Sequence, residues 1–294
     1  MKQGILAGIA AYVMWGLFPI YWKLLLEVPA LEILAHRMVW SLVFTALLLL
    51  VGRDWAWLKT ALHDRRLLLT YTLAATLLGF NWFTYIWAVN AGYVVESSLG
   101  YFINPLVSML FGVVFLKERL RRGQLVAVAL AAAGVLYLTI SYGSLPWIAL
   151  VLSTTFATYG LIKKIAPLGS AHGFTLETLV LFLPALGFLL LQESRGVGAF
   201  AHQSALTTTL LAFAGPVTSI PLLLFGMAAR RIPLSMVGFL QYIAPTGQFL
   251  LGVLAYHEPF PPARLVGFSI IWAALAVYTL EGVIFNRRLA PAES

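Results

Sequence analysis

The sequence predicts an all-α polytopic membrane protein with ten transmembrane helices, and three observations lead to this fold class. Hydrophobic residues make up 61% of the 294 residues and charged residues only 10%, whereas a soluble domain carries about 25% charged residues. Apolar runs of about 20 residues, long enough to cross a bilayer core of ~30 Å, recur along the chain. The basic residues that give the formal charge of +8 fall in short loops between these runs, which is a topology signal.

Turn and charge signals divide the chain into ten apolar spans with short connections. The first run follows Lys2 directly and is too long for a signal-peptide core, so we interpret it as a retained span. Only the connections 53–66 and 192–206 are long, and neither could hold a soluble domain. In chain order, the predicted spans are 4–26, 32–52, 67–89, 93–116, 123–141, 146–163, 172–191, 207–228, 232–256 and 263–285.

The positions of lysine and arginine predict that both termini are cytoplasmic. If the amino terminus is inside, 15 of the 19 basic residues fall on the inner side. Only Lys23, Arg195 and Arg264 then fall outside, and Arg37 lies within a span. Because positive loops are retained on the cytoplasmic side, this bias supports both the number of spans and their orientation.

A short pattern occurs twice, at an offset of 140 residues. Each copy belongs to a unit of five spans, and an odd number of spans forces the second unit to enter the membrane in the opposite direction. We therefore predict two inverted five-helix repeats, 1–143 and 144–286, followed by a cytoplasmic tail, 287–294. Inverted repeats are typical of secondary transporters. The pattern consists of Pro105, Gly112 and Glu118 in span four and of Pro245, Gly252 and Glu258 in span nine.

This pattern, in the fourth span of each half, resembles the EamA family of the drug/metabolite transporter superfamily. Three segments resemble its RarD-like branch in particular: GYFINPL at 100–106, MWGLFPIYWK at 14–23 and AHRMVWS at 35–41. The resemblance covers nearly the whole chain. It implies a ten-helix permease of the bacterial inner membrane, with a central cavity between the two halves.

Polar and aromatic residues within the spans are candidates for the lining of such a cavity. In span four, polar residues recur every three or four positions and so share one face of a helix. Aromatic rings with a few amides and hydroxyls suit amphipathic organic solutes, although ordinary helix packing could also explain many of these residues. The candidates are Trp15, Arg37, Asn81, Trp82, Ser97, Tyr101, Asn104, Tyr159, Thr218, Gln241 and Tyr242.

Arg37 is a permanent positive charge about six residues into the second span. An arginine at membrane depth costs ~2.5–3.5 kcal/mol on insertion scales and marks a pathway or a partner. One interpretation is a cation that faces the cavity and attracts anionic or polar groups of a substrate. The other is a side chain that extends to the outer headgroups beside Glu32.

Two carboxylates are candidates for coupling transport to protons. Glu177 lies 140 residues after Arg37, near the inner third of span seven, and the two differ too much in depth to pair directly. A buried carboxylate there suits proton coupling, but contact with Lys163 or Lys164 near the headgroups is an equally open interpretation. Glu96, near the outer start of span four, is either a coupling residue or a helix-start acid favoured by the dipole.

The residues of the repeated pattern receive different roles. Glu118 and Glu258 each end an apolar run, where a carboxylate can cap free backbone amides or hold an arginine, so we predict structural roles for them. Pro105 and Pro245 each remove a backbone hydrogen bond inside a span, and we predict that they act as hinges.

The leading functional hypothesis is a secondary transporter or exporter of small organic metabolites or drugs, working by alternating access in the lipid bilayer. A non-transporting scaffold or sensor and a membrane-embedded enzyme are the alternatives. The sequence offers few groups of residues that could form the active site of an enzyme. Both aspartates share one loop, the histidines are scattered, and there is no GxxxxGK[ST] loop for binding ATP. With no cysteine, thiolate metal sites are excluded. We expect no catalytic residue, metal, cofactor or nucleic-acid partner, while substrate, direction and oligomeric state stay open.

Overall fold

The regular structure of the chain is helical. The computed structural model describes residues 1–53, 55–257 and 262–289, and in these residues no strand is present. The helices are α1 (Lys2–Lys23), α2 (Ala30–Val51), α3 (Ala56–His63), α4 (Arg65–Asn90), α5 (Val94–Val114), α6 (Arg122–Tyr142), α7 (Trp147–Ile165), α8 (Ser170–Ser194), α9 (Ala205–Arg231), α10 (Leu234–Gln241), α11 (Ile243–Leu250) and α12 (Pro262–Leu289), with a π-helical turn (Leu251–Ala255) after α11.

Ten segments of the described chain are long and apolar enough to cross a membrane, which confirms the predicted number of spans. The short helix α3 was not predicted and lies in the connection between α2 and α4. It forms because one of its faces is apolar: Ala61 is buried, and Trp57 stacks on His172 with ring centroids 4.4 Å apart. This contact places α3 beside the start of α8.

The ninth span is discontinuous, whereas the fourth is not. The ninth consists of α10, α11 and the π-helical turn, with the first break at Tyr242. Pro245 has no amide hydrogen to donate to the carbonyl of Gln241, four residues earlier, so the break lies one turn before the proline. Pro105 instead lies inside the unbroken helix α5. The two prolines of the repeated pattern therefore have different local effects.

The two halves of the chain interlock rather than pack side by side. α6 packs along α12, α5 along α7 and α10, α2 along α8 and α9, α1 along α9 and α11, and α4 along α7 and α8. Each of these interfaces joins a helix of the first half to a helix of the second. A change in the relative position of the halves must therefore rearrange several helix interfaces at once.

Close packing of α2 on α9 depends on a glycine. A Cβ atom on Gly215 would stand 2.5 Å from the Cβ of Trp40, and even closer to the Trp40 backbone. Small residues allow the backbones of membrane helices to approach in this way. The Ser41 hydroxyl crosses the same contact and donates a 3.3 Å hydrogen bond to the Gly215 carbonyl. The close contact at Gly215 and the bond from Ser41 thus set the relative position of α2 and α9.

The basic helix ends lie together at one end of the bundle, which we call the basic end. It is formed by the starts of α1, α4, α6, α8 and α10 and the ends of α2, α5, α7, α9 and α12. Lys164 at the end of α7 donates hydrogen bonds of 3.1 and 2.7 Å to the carbonyls of Ala229 and Ile232 at the end of α9. Arg121 binds Glu281 of α12 through two hydrogen bonds of 2.6 Å, which raise the pKa of the arginine. These bonds join neighbouring helix ends at the basic end.

Candidate functional site

A cavity of about 250 Å³ lies between the two halves, and helices of both contribute to its walls. Eight of the eleven predicted cavity residues line it. The first half of the chain supplies most of these eight residues. The eight are Trp15, Arg37, Asn81, Trp82, Ser97, Tyr101, Asn104 and Gln241.

Three predicted cavity residues face elsewhere. Thr218 accepts a hydrogen bond from Arg37 and so supports the wall from behind. Tyr159 is fully buried and donates a 2.9 Å hydrogen bond to Glu177. Tyr242 is also fully buried and donates to the Phe102 carbonyl at 3.3 Å, in the packing between α5 and α10.

The cation in the cavity wall is Arg37, which is held by neutral groups. Its Nε donates a 2.9 Å hydrogen bond to Thr218 Oγ1. The guanidinium carbon lies 4.3 Å from the ring centroid of Trp82 and 5.0 Å from that of Trp22, within the range of a cation–π interaction. Within the described chain, no carboxylate forms an ion pair with it.

Glu32, the alternative partner for Arg37, is occupied elsewhere. It is buried, and one of its carboxylate oxygens accepts a 2.6 Å hydrogen bond from the Ala199 amide. The same oxygen lies 3.9 Å from His36, one turn along α2. Glu32 therefore anchors the connection before α9 to α2, while Arg37 faces the cavity.

The hydrogen bond between Arg37 and Thr218 lies near the close contact at Gly215. Thr218 follows Gly215 by about one turn of α9, and Arg37 precedes Ser41 by about one turn of α2. The two helices run in the same direction, so the long Arg37 side chain reaches along the α2–α9 interface to Thr218. The position of the cation therefore follows from helix packing between the halves.

Aromatic rings form most of the remaining wall. Tyr85 and Tyr101 meet edge to face with centroids 6.0 Å apart. At the deeper part of the cavity, Tyr12 and Trp15 contact each other at 5.2 Å, and Trp15 contacts Phe156 at 5.9 Å. Such a surface suits an apolar or aromatic group of a ligand.

The residues of the wall that the prediction missed include Phe18, Trp22, Phe156 and Gln248. Trp22 could have been identified from the sequence, because it follows the predicted cavity residue Trp15 by seven positions and so lies on the same face of the helix. No sequence pattern identifies Phe156 as a cavity residue. The face of α7 that meets the cavity depends on how α7 packs against α5 and α4.

Amide side chains connect helices around the cavity. Asn81 of α4 donates to the Leu152 carbonyl at 2.7 Å and to Thr155 Oγ1 at 2.8 Å on α7. Gln241 at the end of α10 donates to Ser108 Oγ of α5 at 3.1 Å. These bonds satisfy the amide nitrogens of Asn81 and Gln241, which would otherwise lack partners inside a membrane.

The two coupling candidates lie outside the cavity lining. Glu177 is fully buried and pairs with Lys163 Nζ at 2.8 Å, which is the contact that the alternative interpretation described. Glu96 accepts hydrogen bonds from the Ile148 amide at 2.7 Å and the Tyr142 hydroxyl at 3.0 Å. The Glu96 carboxylate thus caps the start of α7.

The residues of the repeated pattern stand at the interface between α5 and α10. Glu118 accepts hydrogen bonds from the amides of Leu234 at 2.6 Å and Ser235 at 2.9 Å, and so caps the start of α10. Glu258 lies outside the described residues. Pro105 is buried, with its carbonyl against Gly238, while Pro245 lines the cavity. Their hinge role stays a prediction.

Comparison with known proteins agrees with this architecture. The profile of the EamA-like transporter family matches residues 2–140. Protein RarD of Streptomyces exfoliatus is 53% identical over 98% of this chain and 91% of its own length. The uncharacterized transporter YojE of Bacillus subtilis is 50% identical over 97% of this chain and 96% of its own length.

A crystal structure of another protein has the same fold. It superposes with a TM-score of 0.73 over 99% of each chain, at 18% sequence identity. The sequence relatives and the ten membrane-crossing segments lead to one conclusion. The chain belongs to the EamA-like transporter family, with RarD-like relatives, and is a multi-pass transporter of the bacterial inner membrane.

Proposed function

We propose that this protein is a secondary transporter of small organic solutes that carry an anionic group, and that it works by alternating access of the central cavity. The observation that carries the proposal is Arg37. Its guanidinium lines the cavity, is positioned by Thr218 and two tryptophan rings, and has no carboxylate partner among the described residues. The anionic group of a solute completes this site.

The energetics of a cation at membrane depth favour such a ligand. An arginine at membrane depth costs ~2.5–3.5 kcal/mol on insertion scales, so a protein that keeps one gains from a negatively charged partner. A carboxylate can accept two parallel hydrogen bonds from a guanidinium, a geometry that a neutral amide cannot match. Nε is already used by Thr218, which leaves the terminal nitrogens for the ligand.

The size and walls of the cavity limit the rest of the solute. A volume of about 250 Å³ is below the ~300–1,000 Å³ that is usual for drug-sized ligands. The walls are aromatic on several sides, as at Trp15, Trp82 and Phe156. A solute with one small ring or a short apolar body therefore fits best.

Alternating access is supported by the asymmetry between the two ends of the bundle. The basic end is closed by Glu118 on α10 and by Lys164 on α9. The cavity lies toward the other end: Trp22 is one residue from the end of α1, and Ser97 is in the first turn of α5. For a solute to leave at the basic end, these closing contacts must break.

Pairs of equivalent contacts support a twofold relation between the halves. α1 packs on α9 and α11, and the helix 140 residues later, α7, packs on α4 and α5. Gly8 of α1 contacts Leu240, and at the equivalent place Gly100 of α5 contacts Ala149 and Leu152 of α7. Two halves with equivalent contacts can exchange their conformations, which is how inverted repeats produce alternating access.

Transport by reconstituted protein tests this function. We would measure the flux of para-substituted benzoates and their uncharged benzamides into proteoliposomes, with protein-free liposomes as the blank. The wild type is expected to transport benzoates at least about 10-fold faster than benzamides, and Arg37→Gln to lose this difference. Equal flux of both classes, or an Arg37→Gln variant that transports benzoates like the wild type, would overturn the proposal.

A further inference from the structure

The inner part of the cavity contains buried side-chain atoms that have no hydrogen-bond partner and that can accept a hydrogen bond. Three side-chain atoms of the described chain that lack any partner belong to residues of the cavity lining: Tyr12 Oη, Asn104 Oδ1 and Gln241 Oε1. We call these three atoms the acceptor cluster. Tyr12 is 2% exposed and Gln241 is 5% exposed, so solvent does not reach most of their surface.

The three atoms are brought together by α1, α5 and α10. Gln241 donates through Nε2 to Ser108, which leaves its Oε1 directed away from Ser108. Asn104 lies one helical turn before Ser108 on the same face of α5. The Tyr12 hydroxyl lies beside the Gln241 side chain.

Buried atoms without a partner also occur elsewhere in the described chain, as at Glu32 Oε2 and Ser219 Oγ, but among the residues that line the cavity they are confined to these three. Other amides of the same cavity have partners. Asn81 donates to Leu152 and Thr155, and Gln248 donates to the Trp15 carbonyl at 3.2 Å. Buried polar atoms are normally paired, and a membrane interior supplies no water to replace a missing partner. Two of the three atoms are amide carbonyl oxygens, which can only accept. The two amide oxygens therefore need a donor, whereas the Tyr12 hydroxyl can either donate or accept.

The distance between Arg37 and the acceptor cluster defines the length of the ligand. Arg37 lies close to Tyr101 on α5. Asn104 and Ser108 follow Tyr101 by about one and two helical turns, which places the cluster about 5 to 10 Å from the level of Arg37. The space between them is bounded by aromatic side chains, including Trp15.

We infer that the acceptor cluster binds an ammonium group of the transported solute, at the opposite end of the molecule from the anionic group at Arg37. The solute is thus a zwitterion whose two charges are separated by a short apolar or aromatic spacer. This inference rests on the proposed function, because it assigns the anionic end to Arg37. An ammonium group supplies three donors for the three acceptor atoms, and the rings of Tyr12 and Trp15 beside them also favour a cation.

Binding of isosteric ligands to the purified full-length protein tests the inference. The zwitterion is 4-(aminomethyl)benzoate, the anion of matching shape is 4-ethylbenzoate, and the matching cation is 4-(aminomethyl)benzamide. By isothermal titration calorimetry, the zwitterion is expected to bind at least about 10-fold more tightly than either isostere. Phenylalanine, whose charges are on adjacent positions, is expected to bind more weakly than 4-(aminomethyl)benzoate.

A variant of the cluster gives a second readout. Gln241→Met keeps the length of the side chain and removes the carbonyl oxygen, so the ratio between zwitterion and anion affinities is expected to fall about 10-fold. Gln203→Met, in an exposed loop, is the matched control and should keep the ratio of the wild type. Thermal unfolding of both variants identifies any loss of fold.

The outcomes separate this inference from the proposed function. If 4-ethylbenzoate binds as tightly as the zwitterion and its binding needs Arg37, the acceptor cluster is not an ammonium site and only this inference fails. If 4-ethylbenzoate binding does not depend on Arg37, the proposed function fails as well. Tighter binding of phenylalanine than of 4-(aminomethyl)benzoate, or no binding of any of the four ligands, also overturns the inference.

Discussion

Arg37 of α2 and Thr218 of α9 are joined by a hydrogen bond of 2.9 Å between Nε and Oγ1, across a sequence separation of 181 residues. The bond connects the first half of the chain to the second. Because the cation of the cavity wall is held by a residue of the opposite half, relative movement of α2 and α9 also reorients it. If the anionic group of a solute binds at Arg37, as proposed, its binding is linked to the packing of the halves.

Replacement of Thr218 by valine tests this link, because valine keeps the shape of threonine and removes the acceptor. A hydrogen bond to a charged group contributes about 1.5–3 kcal/mol, so we expect about 10-fold weaker binding of 4-ethylbenzoate. The measurement is isothermal titration calorimetry on the purified protein. Thr218→Ser keeps the hydroxyl and should bind like the wild type. Wild-type affinity of Thr218→Val would show that the bond does not position Arg37.

Gly215→Ala should disturb the same region through packing. The added Cβ meets the Trp40 backbone and Cβ, both of which belong to a helix, so α2 must move away from α9. We expect a loss of about 1–3 kcal/mol in stability, seen as a lower Tm in detergent, together with weaker binding at Arg37.

The matched control is Gly187→Ala in α8, where nothing lies within 4 Å of the added Cβ. Alanine is favoured over glycine in a helix by about 1 kcal/mol, so this variant should keep or raise the Tm. A Gly215→Ala variant with the Tm and affinity of the wild type would mean that α2 and α9 do not depend on their close contact.

Much of this architecture could be predicted from the sequence, because the membrane imposes strong local patterns. A span must be apolar for about 20 residues, so the ten spans can be counted without tertiary information. Polar residues inside spans must find partners, so Arg37, Asn81 and Gln241 could be identified as important. A structural role for Glu118, as a cap of backbone amides or a partner of an arginine, could be predicted from its position at the end of an apolar run.

Other features depend on tertiary contacts that no local pattern encodes. Glu177 had two open interpretations, and only the packing of α7 on α8 brings it to Lys163. Thr218 and Tyr159 face away from the cavity for the same reason, because the rotation of a helix about its axis is set by its neighbours. Helix α3 is too short for a hydropathy signal and forms against α8.

Glu118→Ala should open the basic end of the bundle. Without the carboxylate, the amides of Leu234 and Ser235 lose their acceptors, at a cost of about 1–3 kcal/mol. The chain has no cysteine, so Met236→Cys in the first turn of α10 can report on access. We expect its maleimide labelling to be about 10-fold faster in the Glu118→Ala background, in proportion to the population of the open state.

The control for this experiment is Glu193→Ala. Glu193 also forms a hydrogen bond, to His202 at 2.7 Å, but it is exposed and lies at the other end of the bundle. Its replacement should leave the labelling rate of Met236→Cys unchanged. Equal rates in the Glu118→Ala and wild-type backgrounds would contradict a closing role for Glu118.

Maleimide labelling of single cysteines also tests the orientation of the protein in the membrane. Lys59 in α3 lies at the basic end, near the start of α8, and Ser144 follows the end of α6 at the other end. We expect single cysteines at the two positions to be labelled from opposite sides, with Lys59→Cys reached only from the cytoplasm. Labelling of both from one side would contradict the predicted topology.

The buried pair of Lys163 and Glu177 should be structural rather than part of proton coupling. Both side chains are almost fully buried, at 3% and 0% exposure, and neither lines the cavity. Removal of one partner leaves an unpaired buried charge, so Lys163→Met alone and Glu177→Gln alone should each lose about 3–5 kcal/mol of stability. The Tm in detergent measures this loss.

The double variant, Lys163→Met with Glu177→Gln, separates the two roles. Because it removes both charges, its loss of stability should be at least about 2 kcal/mol smaller than the sum of the single losses. Tyr159 keeps an acceptor, since the glutamine carbonyl can replace the carboxylate oxygen that it binds. The double variant should therefore fold well enough for transport to be measured.

If Glu177 has only a structural role, a pH gradient will change the flux of 4-(aminomethyl)benzoate into proteoliposomes equally in the double variant and the wild type. A folded double variant that transports but no longer responds to a gradient that drives the wild type would instead assign the coupling proton to Glu177.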